Sequence, residues 1–189
     1  AKNLGCLGDG GAVTTNSKDI AEKILLLRNH GRNSSGEVVA WGLNSRLDNL
    51  QAAILNAKLS HLDESIALRR KIATLYCEGL QDVEQIVLPP KPEESVRHFD
   101  SYQNFEIEAE DRDELREYLN SKGIGTSLPW GGKAVHHFNL PGVKVKDVSR
   151  TEKLFTKILL LPLNQYMHEA EVAKVIEQLR NFYLRRHAE

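Results

Sequence analysis

Residues 1–16 read Ala1-Lys2-Asn3-Leu4-Gly5-Cys6-Leu7-Gly8-Asp9-Gly10-Gly11-Ala12-Val13-Thr14-Thr15-Asn16. A lysine, a glycine-rich turn and a short β-like run follow one another. Gly5, Gly8, Gly10 and Gly11 leave little side-chain bulk beside Lys2 and permit backbone at positive φ. That suits a tight turn, or a close approach of backbone to a bound group. A lysine that acts as a nucleophile must be partly deprotonated near neutral pH, so it needs burial or a neighbouring positive charge. Taken by itself, a lysine among glycines is usually a solvated loop residue rather than a reactive one.

Outward from this stretch, Gly11 to Thr15 reads as a strand leaving the turn. Asn16-Ser17 offers a helix N-cap, with Asp19 and Glu22 near the start. Ile20, Ile24, Leu25, Leu26 and Leu27 make an apolar helix that ends near Gly31. Residues 31–45 read as a long loop, a length at which loops are often functional. Leu47, Leu50, Ile54, Leu59, Leu62, Ile66, Ile72 and Leu75 then recur at helical spacing. They predict a long helix from about Arg46 to Gly79, with a bend near Ser60-His61. Pro89-Pro90-Lys91-Pro92 ends the pattern. The expected domains are therefore residues 1–82 and 83–189. The second reads as a small α+β domain: a strand over Tyr102–Ala109, a helix over Asp111–Lys122, an extended segment over Ile124–Trp130, a helix over Ser149–Lys157, a strand over Ile158–Leu163 and an amphipathic helix over Glu169–Tyr183.

The chain has 189 residues, 25 Lys+Arg against 26 Asp+Glu, and a net charge of −1. That balance gives no electrostatic argument for nucleic acid or an anionic membrane as a partner. Hydrophobic residues make up 41%, enough for a packed core. No apolar run approaches the ~18 residues of a membrane span, and no signal peptide is visible. The two cysteines, Cys6 and Cys77, form no C-x-x-C motif, and no Cys/His spacing suggests zinc. A cytoplasmic protein without a metal is expected.

Further motifs follow in order. They are Arg28-Asn29-His30-Gly31, then Gly42-Leu43-Asn44-Ser45-Arg46-Leu47-Asp48-Asn49-Leu50-Gln51-Ala52-Ala53, then Arg112-Asp113-Glu114-Leu115 through Lys122-Gly123-Ile124-Gly125-Thr126, and Leu160-Leu161-Pro162-Leu163. Together with Lys2–Ala12, this ordered set resembles the DegT/StrS family of nucleotide-sugar aminotransferases along essentially the whole chain. The resemblance implies an α/β fold: the C-terminal part of a fold-type-I pyridoxal phosphate (PLP)-dependent transferase, with the end of the large PLP-binding domain in residues 1–82 and a small α+β domain in 83–189. It implies that Lys2 forms the Schiff base with PLP and that the segment preceding it supplies the rest of the pocket. Without that half the isolated chain is expected to be inactive.

By the same resemblance, Asn44 hydrogen-bonds the PLP phosphate of a neighbouring subunit, which requires a homodimer with shared active sites. Residue chemistry alone also allows Asn44 or Ser45 to cap the following helix. Arg46 suits either a phosphate or carboxylate ligand or an ion pair with Asp48. His30 is a substrate-side candidate or a helix-end histidine favoured by the dipole. The loop Pro129–Phe138 is the candidate substrate loop of the small domain, with Trp130, Lys133 and His136 as ligand contacts, or else an ordinary surface loop. Here Trp130-Gly131-Gly132-Lys133 replaces the family's more usual proline-rich wording, which leaves sugar specificity open. Gln103 stands where many relatives carry a histidine.

The implied activity is PLP-dependent transfer of an amino group, from glutamate, to a keto carbon of a nucleotide-linked deoxysugar, in cell-surface polysaccharide or natural-product sugar biosynthesis. Two alternatives stand beside it. One is a sugar dehydratase relative, against which Lys2 argues because a histidine takes its place there. The other is a non-catalytic fragment acting as an interaction module.

Overall fold

The computed structural model describes residues 2–93, 98–138, 141–142 and 146–186. Two compact units part between Leu62 and Asp63.

In the first unit, helix α1 (Lys18–Leu27) starts where Ser17 accepts a hydrogen bond from the Ile20 N–H at 3.4 Å. None of its residues is buried. Residues 11–15 are exposed and form no strand, contrary to the expectation. A strand exists only through its ladder, and no described segment pairs with this one. Helix α2 (Asn49–Leu59) follows, with Asp48 at its N-cap position. Neither Asn44 nor Ser45 caps it, so the capping alternative for Asn44 is removed. The expected bend falls at Ser60-His61, where the Ser60 hydroxyl donates to Ala57 O at 2.8 Å and the His61 N–H to Lys58 O at 3.1 Å. The long helix is thus two helices, α2 and α3 (Leu62–Leu80).

The second unit is built on a three-stranded antiparallel sheet in the order β1-β2-β3, formed by Ile86–Val87, Phe105–Ala109 and Ile158–Leu161. Phe105 pairs with Leu161 and Ile86 with Ala109. Phe105, Ile107 and Ala109 face inward at period two, while Glu106 and Glu108 alternate with them. Helices α4 (Arg112–Ser121), α5 (Ser149–Lys157) and α6 (Glu169–Arg186) complete the unit. The core gathers Tyr76 and Leu80 of α3, Phe105 and Ile107 of β2, Leu115 and Leu119 of α4, Leu159 of β3, and Val172 and Leu179 of α6. Gly79 permits a close approach of α3 to α6, since a Cβ there would lie 2.6 Å from Ile176 Cδ1.

α3 buries Ile72, Ala73, Tyr76, Cys77 and Leu80 in this core. The Tyr102–Ala109 strand begins only at Phe105, since Tyr102 adopts φ 47°. The last strand stops at Leu161, before Pro162, which has no N–H to donate. The segment 124–130 is not a strand: Ser127 makes a single bridge to Leu160, and a 3-10 turn begins at Pro129. β1 was not expected, because two residues carry no readable period.

Candidate functional site

Among the described residues every buried hydrophobic one lies at or beyond Ile72, whereas Ile20, Leu25, Val38, Trp41, Leu43 and Leu50 of the first unit are exposed. The first unit is therefore held by polar contacts and backbone turns. The glycine-rich turn after Lys2 is stapled to helix α2. Gln51 accepts from the Leu7 N–H at 2.9 Å through Oε1 and donates from Nε2 to Leu7 O. One turn of α2 further along from Leu55, Lys58 Nζ donates to Gly5 O. The sequence motif ending in Leu50-Gln51-Ala52-Ala53 thus has a concrete task that its spacing alone did not disclose.

The turn and α2 enclose a concavity of about 510 Å³ lined by Lys2, Gly5, Gly8, Gly10, Gly11 and Leu55, among others. Cβ atoms added at Gly8 or Gly11 would meet nothing within 4 Å, so the glycines leave the cavity open. Lys2 is exposed on this wall; the burial expected for a reactive amine is not supplied by the described residues. A primary amine beside an open, glycine-lined space fits an aldehyde cofactor such as PLP in donor chemistry and in size.

Asn44 sits on the loop between the helices and forms an isolated bridge with Asn29. Its neighbours are fixed by backbone bonds: Ser45 N–H to Arg28 O at 2.9 Å, His30 N–H to Leu43 O at 2.9 Å, and Leu43 N–H to Leu27 O at 2.8 Å. Gly31, at φ 71°, faces Ala40 so closely that a Cβ would be 1.8 Å from its carbonyl oxygen. His30 is exposed at φ 58°. Arg46 is exposed, and among the described residues it forms no ion pair with Asp48.

In the second unit, Trp130, Gly131 and Gly132 run consecutively at φ 51°, 68° and 79°. Two glycines adopt this backbone freely, but a tryptophan there is strained by roughly 1–3 kcal/mol, a pattern concentrated at functional loops. Trp130 is 82% exposed, and Lys133 is exposed beside it. His136 and His137 follow in a 3-10 turn, Val135–His137. Both rings reach Glu152 of α5: His136 Nε2 lies 2.6 Å and His137 Nε2 3.2 Å from Glu152 Oε1. These hydrogen bonds, that of His136 first, hold the Glu152 carboxyl below the ordinary glutamate range. The sequence reading found His136 but not Glu152, which lies sixteen residues away across a loop with no periodic link to it.

The chain matches the model of the DegT/DnrJ/EryC1/StrS aminotransferase family over residues 1–180. It is 34% identical over 193 residues to the dTDP-3-amino-3,4,6-trideoxy-alpha-D-glucose transaminase of Streptomyces venezuelae, covering 96% of this chain and 48% of that protein. It is 36% identical over 187 residues to a pleiotropic regulatory protein of Geobacillus stearothermophilus, covering 96% and 49%. The solved structure of NtdA from Bacillus subtilis with bound cofactor PMP superposes with a TM-score of 0.82 at 28% identity, covering 95% of this chain and 43% of that one. The chain spans about half the length of the curated relatives it matches.

Proposed function

From the premise that the chain belongs to the DegT/DnrJ/EryC1/StrS aminotransferase family, we propose that it is part of a PLP-dependent aminotransferase acting on a nucleotide-linked keto sugar, with glutamate as amino donor. In this reading residues 1–82 complete a large cofactor domain and residues 83–189 form the small domain of a fold-type-I transferase in the cytoplasm. The single observation that carries the proposal is Lys2 on the open wall of a concavity whose glycine turn is stapled in place by Gln51 and Lys58.

Lys2 and Asn44 would hold the cofactor, Lys2 through its amine and Asn44 by donating from its side-chain amide to a phosphate oxygen. When bound, PLP supplies an electron sink for the carbon that gains or loses the amino group. Lys2 Nζ would be the base that takes a proton from the donor carbon as it loses its amino group and the acid that supplies one to the sugar carbon that gains it. Gln51 and Lys58 keep the turn from collapsing into the space the cofactor needs. His30, Arg46, Trp130, Lys133 and His136 are the proposed sugar-nucleotide contacts, with Trp130 offering a ring face and Lys133 a cation. Asn44 serves a neighbouring site in a homodimer. The exposed apolar side chains of α1 and its loop support a first unit that is covered in the assembled protein.

The test is amino transfer from glutamate to a 3-keto or 4-keto nucleotide sugar by the complete protein. Formation of 2-oxoglutarate that disappears in Lys2→Ala supports the reading. Turnover retained in Lys2→Ala contradicts it.

A further inference from the structure

The pair His136-His137 with Glu152 brings three ligand-type atoms within 4.8 Å of one another, an arrangement open to two uses. One is a divalent cation bound by both Nε2 atoms. The other is a hydrogen-bonded relay in which the carboxylate orients the rings. The backbone decides between them. The Ala134 N–H donates to His137 Nδ1 at 3.0 Å. That nitrogen is therefore an acceptor, and in the neutral ring the proton is on Nε2. A metal-bound histidine has the opposite arrangement: Nε2 gives its lone pair to the metal while Nδ1–H donates outward. Glu152, an ionised carboxylate, accepts only, so the Nε2 atoms at 2.6 Å and 3.2 Å both carry protons toward it.

We infer that Glu152 is a positioning residue that locks His136 and His137 as Nε2–H tautomers, so that His136 offers Nδ1 as an acceptor for a hydroxyl hydrogen. The two rings are not equivalent. Nδ1 of His137 is occupied by Ala134, whereas Nδ1 of His136 has no hydrogen-bond partner among the described residues. His136 is also the more enclosed, its side chain 12% exposed against 34% for His137. His137 acts as a brace, held from both sides and packed on His136 with ring centroids 4.1 Å apart. A neutral, acceptor-only nitrogen held at fixed orientation selects a ligand that donates a hydrogen bond, as a hydroxyl does. That class includes the sugar of the proposed substrate, and the ligand assignment rests on the proposed function; the tautomer lock does not.

The experiment is ring 15N NMR of the histidine-labelled complete protein in alkaline buffer. It reads tautomers whether or not the protein transfers amino groups. Wild-type protein is expected to show Nε2–H for both rings, since a hydrogen bond to a charged acceptor weights that form by roughly tenfold or more. In Glu152→Gln, His136 should become a mixture of tautomers while His137, still pinned by Ala134, keeps Nε2–H. Ala134→Pro, at a backbone φ of −80° that proline tolerates, should leave Nε2–H on both rings, because Glu152 still accepts from each, and only Ala134→Pro combined with Glu152→Gln should free His137 as well. An Nδ1–H tautomer for either ring in the wild type, or an unchanged His136 spectrum in Glu152→Gln, overturns the inference. So does uptake of one equivalent of Zn²⁺ through both Nε2 atoms.

Discussion

Gly31→Ala tests whether the loop that carries Asn44 is fixed by close backbone approach. The added Cβ would lie 1.8 Å from Ala40 O and 2.6 Å from Ala40 C. A nonbonded carbon needs roughly 3.5 Å, so the 38–42 side of the loop must retreat by well over an ångström. Three backbone bonds bear on that retreat: Val39 N–H to Gly31 O at 3.0 Å, Gly31 N–H to Leu26 O at 2.9 Å and His30 N–H to Leu43 O at 2.9 Å. At about 1 kcal/mol net each, losing them costs on the order of 3 kcal/mol. Holding alanine at φ 71° adds roughly 1–2 kcal/mol. Gly36→Ala separates the two effects, because Gly36 sits at φ 84° with nothing within 4 Å of its Cβ position. It should show the conformational cost alone. In hydrogen exchange, protection of amides 30, 31, 39 and 43 should fall by two or more powers of ten in Gly31→Ala, and by tenfold or so in Gly36→Ala. Equal, small losses in both variants would refute the reasoning, since the clash would then contribute nothing.

Three further outcomes are expected. Asn44→Ala in the complete protein should weaken PLP retention by ~1–3 kcal/mol, the range for a hydrogen bond to a charged group, measured by cofactor titration; unchanged retention would remove Asn44 from the site, and a strict monomer in light scattering would remove the shared-site arrangement. Burial, with the neighbouring Asp100 charge second, pushes the Tyr102 phenol up to about 12, while its hydroxyl donates to Pro90 O at 2.6 Å. The folded state thus holds this proton more tightly than the unfolded chain, so the contribution is intact below the ordinary tyrosine value of 10.0 and is lost as pH rises toward 12; chemical denaturation of wild type and Tyr102→Phe across that range should show the loss only in the wild type. Tyr76→Phe, which removes the bond donated to Pro162 O at 2.8 Å from a fully buried ring, should lower stability by about 1–3 kcal/mol, and a midpoint unchanged in denaturant would contradict that.

The sequence was most legible where periodicity is long. The amphipathic stripe of α6 through Val172, Val175, Leu179, Phe182 and Tyr183 is the buried stripe of the structure, and the expected bend falls at Ser60-His61. It was least legible where a feature depends on a partner far along the chain. Residues 11–15 have strand-like composition but no ladder among the described residues. Nothing in the helical spacing marks Arg69, yet it is buried and donates to Tyr102 O, Gln103 O and Gln165 Oε1, lying where loop carbonyls need donors. Among candidate site residues, Lys2 and Asn44 were singled out through ordered motifs. Gln51, Lys58 and Glu152 were not assigned roles, because each acts by holding another group in place and that leaves no local signature.

The central claim is that Lys2 carries the cofactor. Borohydride reduction of the complete protein loaded with PLP, followed by peptide mapping, tests it most directly. The account predicts a single pyridoxyl label on Lys2 and none in Lys2→Ala. A label on Lys18, Lys23, Lys58 or Lys133, with Lys2 unmodified, would contradict it.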